Sequence, residues 1–372
     1  MDHGWVGGVP RWAKIGGVVV ALAAVAALVL LVGLRNQADE AGATMYDGRL
    51  VAADYWTDQP EILSAGLGFD GIIATAGDDE ASTRAVGGAF DSAMQCRKDG
   101  GPTDADRSSV APARGLGMIT LVAPGKDPTD VDGLPVVFSW PIRTDTLDPA
   151  QFRFTLNTGE VVGVDSLTMT PNFELNERNT VVMFSDLGNR GRSGEPDAKY
   201  PVRLDIVAAP DGSELLLAGP QGDVAATGLS WTTEQTPYDS GPTLAGAKLN
   251  RVDVPVQGEG GVANVGGATL PNDEQTLYGD QADFRLRMLT TGGFSPDGVR
   301  GITPEDFGTF FRVHARGVDG SDVVISEVGR DYEVAGGTLR WWAWRIWGSR
   351  RMRARRCSTT TATPRTATTT ST

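Results

Sequence analysis

From residue 116 onward, the chain is a series of short apolar segments rich in Val, Leu, Ile and Phe, and this pattern most constrains its fold. Gly, Asn, Asp or Pro separates most of them. They read GMITLVAP, PVVFSW, FRFTL, EVVGV, NTVVMF, PVRLDIVA, ELLLAG, AKLNRVDVPV, DFRLRML, FFRVHARG and DVVISEV. Short strands at such spacing are typical of β-sandwiches and barrels. Because helical crossovers are largely missing, the sequence predicts a mainly β fold rather than a doubly wound α/β sheet.

A second strong signal lies at residues 15–34, which read IGGVVVALAAVAALVLLVGL without a charge. Twenty residues of helix span about 30 Å, the thickness of a bilayer core. Arg11 and Lys14 precede this run. The positive-inside rule therefore predicts a single-pass membrane anchor with its N-terminus inside and an extracytoplasmic bulk. Two alternatives remain open: a signal peptide cleaved near Ala41-Gly42-Ala43, which would leave a secreted protein, and a buried core helix.

These signals divide the chain into seven segments. They are a cytoplasmic N-terminus (1–14), a transmembrane anchor (15–34), a stalk with a first strand (35–60), a mixed helix and loop segment (61–115), a β-sandwich module (116–240), a second β-rich module (245–340) and an atypical tail (341–372). Within the mixed segment, residues 78–96 have acids in the first turn and apolar residues at three-to-four spacing. This pattern predicts a helix, although Gly87 and Gly88 weaken it.

Two stretches of the sequence are similar to each other. TLDPAQFRFTLNTGEVV (146–162) and ITPEDFGTFFRVHARGVDGSDVV (302–324) each combine a Pro, a Phe, a strand, a Gly turn and a strand with two valines. Both resemble the opening of bacterial Ig-like surface modules, in which a Pro-led turn precedes a hairpin. PNFELNERNTVV, YPVRLDIV and GGFSPDGVRGITPEDF resemble a family of uncharacterised exported, membrane-anchored proteins of GC-rich bacteria. The resemblance implies one or two Ig-like sandwich modules and carries no activity.

The charge distribution excludes one class of partner. The net charge is -14, and residues 340–372 carry eight Arg and no acid, which leaves about -22 on the rest of the chain. Nucleic-acid binding requires clustered Lys and Arg, so we expect no nucleic-acid partner. The two cysteines, Cys96 and Cys357, are too few for a disulfide framework, although one bridge could form in an oxidising compartment.

The chain offers few groups for catalysis. Of its two histidines, His3 precedes the membrane segment and His314 alternates with its neighbours in FFRVHARG, as a strand side chain does. The sequence has no G-x-S-x-G motif for a nucleophilic Ser, and Cys96 lacks an obvious partner base. We therefore expect structural roles for His314 and Cys96.

Two loops are denser in polar residues than turns require. FSDLGNRGRSGEPD (184–197) contains Asp186, Asn189 and Arg190, and GGFSPDGVRGITPED (292–306) contains Asp297, Arg300 and Glu305. Loops on a rigid β scaffold commonly hold binding groups, so these six residues are the predicted binding positions. The alternative interpretation is that Asp, Asn and Gly simply form turns.

A weaker pattern concerns calcium. KDPTDVDG (126–133) resembles a calcium loop but lacks the first acid and has Ser139 where a bidentate Glu is needed. A complete calcium loop is therefore excluded, which leaves a looser oxygen site formed by Asp127, Asp130 and Asp132. We expect no other cofactor.

The tail differs from the rest of the chain. RWWAWRIWGSRRMRARRC (340–357) precedes STTTATPRTATTTST. The only Trp codon is TGG, and reading WWAWRIWG one base earlier can give Val-Val-Gly-Leu-Ala-Asp-Leu-Gly. The same shift turns each Thr codon into one for Asp, Asn, His or Tyr. We therefore hypothesise a frameshift near residue 340. The Trp and Arg composition would also suit a membrane surface or a nucleic-acid arm, but neither fits an exported, otherwise acidic protein; if the frame is as written, we would interpret residues 340–357 as a membrane-surface segment.

Together these features favour a membrane-anchored protein that binds an unknown cell-surface ligand or has a structural role there, without catalysis. The alternative is a hydrolase that uses carboxylates of the two polar loops, since paired carboxylates can cleave glycosidic bonds. A third class, a calcium-stabilised surface protein, would melt at a higher temperature with calcium.

Overall fold

The computed structural model describes residues 33, 55–77, 79–91, 95–96, 102–103, 107–113, 129–169, 178–251, 281–291, 308–342, 344–346 and 369–371. This part of the chain is mainly β, as the sequence predicts. No helix among these residues is long and apolar enough to cross a membrane. The predicted anchor, apart from Gly33, lies outside the described residues.

The described secondary structure consists mainly of strands, with the short α-helix α1, two 3₁₀ turns and a helical turn at residues 308–310. In chain order the elements are β1 (Ile62–Ala65), β2 (Phe69–Thr75), α1 (Glu80–Ala85), β3 (Phe90–Asp91), β4 (Gln95–Cys96), β5 (Pro102–Thr103), β6 (Arg107–Ser108), β7 (Ala111–Pro112), β8 (Val131–Phe138), the 3₁₀ turns Thr144–Thr146 and Pro149–Gln151, β9 (Phe152–Leu156), β10 (Val161–Gly163), β11 (Ser166–Thr168), β12 (Thr180–Ser185), β13 (Pro201–Ile206), β14 (Leu216–Gly219), β15 (Gly222–Ala225), β16 (Ser230–Thr232), β17 (Leu244–Arg251), β18 (Phe284–Thr290), β19 (Val313–Arg316), β20 (Asp322–Ile325), β21 (Asp331–Val334), β22 (Gly337–Arg340), β23 (Trp344–Ile346) and β24 (Thr369–Ser371).

Two sheets share the principal core. The first has the order β11-β12-β8-β2-β7, with β1 also paired to β8, and the second has the order β10-β9-β13-β16. The β2–β7 pair is parallel, and the other pairs of these two sheets are antiparallel. Inward residues of both sheets, among them Phe138, Met183, Phe154 and Leu204, form one buried cluster. The alternation of apolar and polar residues along β9 and β13 follows from this one-sided burial.

Strand β8 is apolar almost throughout because both of its faces are covered. Val136 and Phe138 face the principal core. On the other side, Val131 packs against a smaller cluster of Ile73, Ala74, Val110 and Phe184. A strand buried on both faces loses the alternating pattern, which explains the apolar run LPVVF in the second part of β8.

The sheet crosses the boundary that the sequence analysis placed at residue 115/116. Strands β1, β2 and β7 come from the predicted mixed segment, yet β1 and β2 pair with β8. The glycines of GLGFDG (66–71) interrupt the apolar pattern of these strands, and Gly66 and Gly71 both adopt positive φ. The strand expected before residue 60 lies largely outside the described residues, and Tyr55 and Trp56 at its end are not in a strand.

The helix predicted over residues 78–96 is much shorter. Asp79 caps α1 by accepting a hydrogen bond from the Ser82 N–H at 3.0 Å. The helix ends where Gly87 takes φ 76° and the Gly88 N–H donates to the Thr83 carbonyl at 2.9 Å. Glycine in this left-handed conformation terminates helices, so the two glycines outweigh the apolar spacing.

A second cluster lies in the later part of the chain. Met288, Ile325, Tyr332 and Trp341 are buried together. The sheet β17-β18-β24-β23 and the hairpins β19–β20 and β21–β22 supply the strands of this region. The two echoing sequence stretches both contain hairpins, β9–β10 and β19–β20. Strands β23 and β24 belong to the atypical tail, and their pairing does not test the frameshift hypothesis.

The two regions meet at Trp56. Its ring lies 5.0 Å from the guanidinium carbon of Arg287 and 5.7 Å from the Lys248 ammonium. Its backbone N–H donates to the Ser139 carbonyl of the first region at 2.8 Å. The Ser64 hydroxyl also donates to the Thr291 carbonyl at 2.6 Å. Cation–π contacts and hydrogen bonds therefore connect the first sheet to β17 and β18.

Candidate functional site

A small cleft opens where β8 begins and β12 ends. Its walls come from the β1–β2 turn (Gly68), from β8 (Asp132 and Leu134), from the loop after β12 (Leu187, Gly188 and Arg190) and from the loop after β16 (Tyr238). Its cavity volume is about 10 Å³, which is about the space of one water. The cleft brings together Asp132 from the predicted calcium set and Arg190 from the predicted binding set. Sequence reasoning had placed these residues in different sites.

Asp132 organises the floor of this cleft. Its side chain is buried, with 6% of the residue exposed. One carboxylate oxygen accepts the Gly71 N–H at 2.6 Å, and the other accepts the Leu187 N–H. The register explains this geometry, because Asp132 pairs with Ser185 at the end of β12 and the pairing of β2 with β8 is irregular between Phe69 and Ile73. The carboxylate thereby ties two loops to β8.

Asn189 organises the loop at the mouth of the cleft. Its side-chain oxygen accepts the N–H groups of Gly191 at 3.1 Å and Lys199 at 2.9 Å. Its amide donates to the Asp197 carbonyl at 2.7 Å. All three bonds stay within the loop 186–200, so the predicted binding residue Asn189 has a structural role in shaping the loop.

Arg190 differs from these two residues. It is half-buried and has φ 54°, a left-handed conformation that is costly for a residue with a side chain. Among the described residues, its guanidinium makes no hydrogen bond or ion pair, and the N–H groups of Gly188 and Arg190 find no acceptor. Arg190 therefore combines a strained backbone with a guanidinium that has no partner among the described residues. The N–H groups of Gly188 and Arg190, in the loop that lines the cleft, likewise have no acceptor there.

Two glycines allow the walls to approach each other. A Cβ on Gly188, which has φ 131°, would lie 2.2 Å from the Lys199 carbonyl oxygen, and a Cβ on Gly68 would lie 2.4 Å from the Gly133 carbonyl oxygen. The Gly68 N–H donates to the Tyr238 hydroxyl at 3.1 Å, across 170 positions of sequence. Sequence reasoning missed Gly68 and Tyr238 because no local pattern indicates a contact over that separation.

Nearby ion pairs and hydrogen bonds shift the pKa values of Lys199 in the loop and Asp239 beside it. The hydrogen bond and the charge of Glu160, whose carboxylate lies 3.1 Å from the Lys199 ammonium, raise the pKa of Lys199, and the charge of the exposed Asp186 adds a smaller effect in the same direction. Hydrogen bonds from Ser193 lower the pKa of Asp239. Since the pKa of Asp239 is lowered in the folded state, its contact is present at neutral pH and is lost as the pH falls through that lowered pKa.

The described residues leave most of the other predicted site residues untested. Asp297, Arg300, Glu305 and Asp127 lie outside the described residues. Asp130 is exposed, with φ 48°. Within the described ranges, no three His, Cys, Asp or Glu side chains are grouped as a metal site requires. The second predicted loop and the looser oxygen site of Asp127, Asp130 and Asp132 therefore stay predictions.

His314 lies on a strand, as its alternation with its neighbours predicts. It is exposed on β19, and its Nδ1 lies 2.8 Å from a carboxylate oxygen of Asp322 on β20. An exposed His–Asp pair could orient a general base, but a nucleophile would have to stand beside it. The hydrogen bonds of this hairpin include none from a Ser or Cys to His314 among the described residues.

Comparison of the chain with protein-family models, with curated proteins and with solved structures returned no match.

Proposed function

We propose that the chain is a single-pass membrane protein whose extracytoplasmic region, built of Ig-like sandwich modules, binds a cell-surface partner without catalysis. The apolar run 15–34 supports the anchor, with its N-terminus inside. The two sheets around one core support a sandwich of the type common in surface modules. Its partner is a cell-surface ligand or protein and not a nucleic acid.

The open guanidinium of Arg190 at a narrow cleft carries the binding proposal. The cleft has a cavity volume of about 10 Å³, room for one water, so it cannot enclose a whole small molecule. The one carboxylate in it, that of Asp132, already accepts two backbone N–H groups. A general base must instead reach a substrate proton, so these groups favour recognition over hydrolysis. The proposal includes no metal or cofactor.

Co-sedimentation with cell-envelope fragments tests this function. We expect the detergent-solubilised full chain to sediment with the fragments and to release no soluble sugars or peptides from them. Arg190→Gln should reduce the bound fraction several-fold. Arg192→Gln is the matched control, because Arg192 is an exposed arginine of the same loop that binds Glu195 through its backbone N–H.

Two results would contradict this proposal. One is binding that is equal for the wild-type chain and Arg190→Gln. The other is release of soluble fragments that Asp186→Asn abolishes, which would instead favour the hydrolase.

A further inference from the structure

We propose that the C-terminal segment encoded in the shifted frame packs on the exposed apolar face of β17 and β18. The occupant of this face is thus a segment of the same polypeptide, read one base earlier than the atypical tail. This inference rests on the frameshift hypothesis and is independent of the proposed binding function.

The second region exposes more large apolar side chains than the first. Among the described residues, two exposed large hydrophobic residues lie in the first region, at Val161 and Val224, and seven lie between positions 244 and 328. These seven are Leu244, Leu249, Phe284, Phe310, Val318, Val324 and Val328. Such a concentration of exposed apolar surface marks a face that another segment or a partner covers.

Two of these residues extend a face that already belongs to the second cluster. Leu249 pairs with Leu286 across the two strands, and Phe284 and Met288 lie two positions to either side of Leu286 along β18. Directly opposite residues and alternate residues share one face of a sheet. Met288 is buried in the second cluster, and Leu286 packs against it. Leu249 and Phe284 are 66% and 50% exposed, so this end of the face is open.

The shifted segment begins beside the covered end of this face. With the shift at residue 340, Trp341 is the first residue whose codon changes, and it is buried in the same cluster as Met288. Its carbonyl accepts the Gly329 N–H at 2.7 Å. The strand distance from Met288 to Phe284 is about 14 Å, and eight extended residues span about 27 Å. The segment is therefore long enough to reach the open end.

The genetic code makes the start of this segment apolar. With a CGN codon at Arg345, the shifted codons after Arg340 read NTG, GTG, GGC, NTG, GCG, NAT, HTG and GGG, where N is any base and H is A, C or T. NTG and HTG encode only Leu, Val or Met, so the apolar residues of Val-Val-Gly-Leu-Ala-Asp-Leu-Gly are kept in every version. The position of Trp341 stays apolar, which suits its burial.

The charges of β17 and β18 favour the shifted segment over the atypical tail. The two strands carry four Lys or Arg residues and no acid. Residues 340–372 as written carry eight Arg, and β23 places Arg345 in the same sheet. In the shifted frame, CGN codons of Arg become codons for Ser, Pro, Thr or Ala, and Thr codons become codons for Asp, Asn, His or Tyr. A segment without this positive charge avoids repulsion by the basic strands.

Hydroxyl-radical footprinting of two full-length chains in lipid nanodiscs tests this assignment. One chain has the frame as written. The other has one base added at codon 340 and ends at the stop codon that the resequenced gene gives for that frame. Mass spectrometry measures the oxidation rates of Leu249 and Phe284. Val161, which is 63% exposed in the first region, is the internal control.

We expect Leu249 and Phe284 to be oxidised several-fold more slowly in the shifted-frame chain, because the segment removes them from water, and Val161 to be oxidised equally in both chains. Leu249→Ala should lower the thermal transition of the second region by several degrees in the shifted-frame chain only. Val161→Ala is the matched control and should leave that transition unchanged in both chains.

Three results would overturn the proposal. If resequencing confirms the frame as written and peptides of the atypical tail are found in the native protein, the segment does not exist. If Leu249 and Phe284 are oxidised equally in the two chains, the segment lies elsewhere. Protection in the chain as written that increases with protein concentration would assign the face to a second copy. The dependence of envelope binding on Arg190 tests the proposed function separately from all three.

Discussion

At the scale of single residues, two charged side chains of one cleft have opposite roles. Asp132 is buried, and each of its carboxylate oxygens accepts a backbone N–H, so its role is to hold two loops against β8. Arg190 is strained, half-buried and open, which is costly to maintain without a ligand. Backbone strain and an open charge commonly coincide at functional positions, and this coincidence distinguishes Arg190 from the exposed Arg192 beside it.

Replacement of Asp132 by Ala should lower the free energy of unfolding by about 2–4 kcal/mol, because it leaves the N–H groups of Gly71 and Leu187 without their acceptor. Urea denaturation measures this change. Asp130→Asn is the control and should change stability by less than about 0.5 kcal/mol, since Asp130 is exposed and Asn tolerates its left-handed backbone. A wild-type melting temperature that rises with calcium and falls again with EDTA would contradict this purely structural role of Asp132.

At the scale of elements, the loop 186–200 owes its shape to side chains rather than to strand pairing. The Asn189 side chain forms three hydrogen bonds within the loop. Thr236, in the loop after β16, donates its hydroxyl to the Gly191 carbonyl at 2.9 Å. The Ser193 N–H donates to Asp239 at 3.0 Å. Because these bonds hold the loop from two sides, Arg190 keeps its position without a β ladder.

Asn189→Ala should loosen this loop while the sheet stays intact. We expect faster hydrogen exchange at the amides of Gly191 and Lys199, which lose their acceptor, and unchanged exchange in the centre of β12. Binding through Arg190 should weaken by several-fold, since the guanidinium is no longer held in place. Asn157→Ala, which removes a side chain bound to Ala198 and Tyr200 at the far end of the loop, is the comparison variant. Protection at Gly191 equal to that of the wild-type chain would contradict the proposed role of Asn189.

At the scale of the whole molecule, the contacts of Trp56 between the first sheet and β17 and β18 decide whether the two regions unfold together. The contacts there involve a half-buried ring, the buried Arg287 and the backbone of Gly246, whose Cβ position lies 3.1 Å from that ring. Two hydrogen bonds accompany them. The two regions have separate hydrophobic clusters, and these few contacts couple them.

Trp56→Ala should therefore split one thermal unfolding transition into two. It removes two cation–π contacts and the packing on Gly246, about 2–3 kcal/mol in total. Differential scanning calorimetry of the full chain measures the transitions. Trp231→Ala is the control, because Trp231 packs against the principal core, and it should lower the first transition without separating the two. A single transition in Trp56→Ala would show that other contacts couple the regions.

The sequence alone determined the strand content and most strand positions after residue 129, because one-sided burial leaves a local alternating pattern along a strand such as β9. It also placed Arg190 and Asn189 in a polar loop. Only the tertiary structure decided that β1 and β2 join the main sheet, that α1 ends at Ala85, and that the Asp132 carboxylate holds two loops against β8. Each of these depends on backbone conformation or on partners distant in sequence, such as Gly68 and Tyr238, and such contacts leave no periodic trace in the chain.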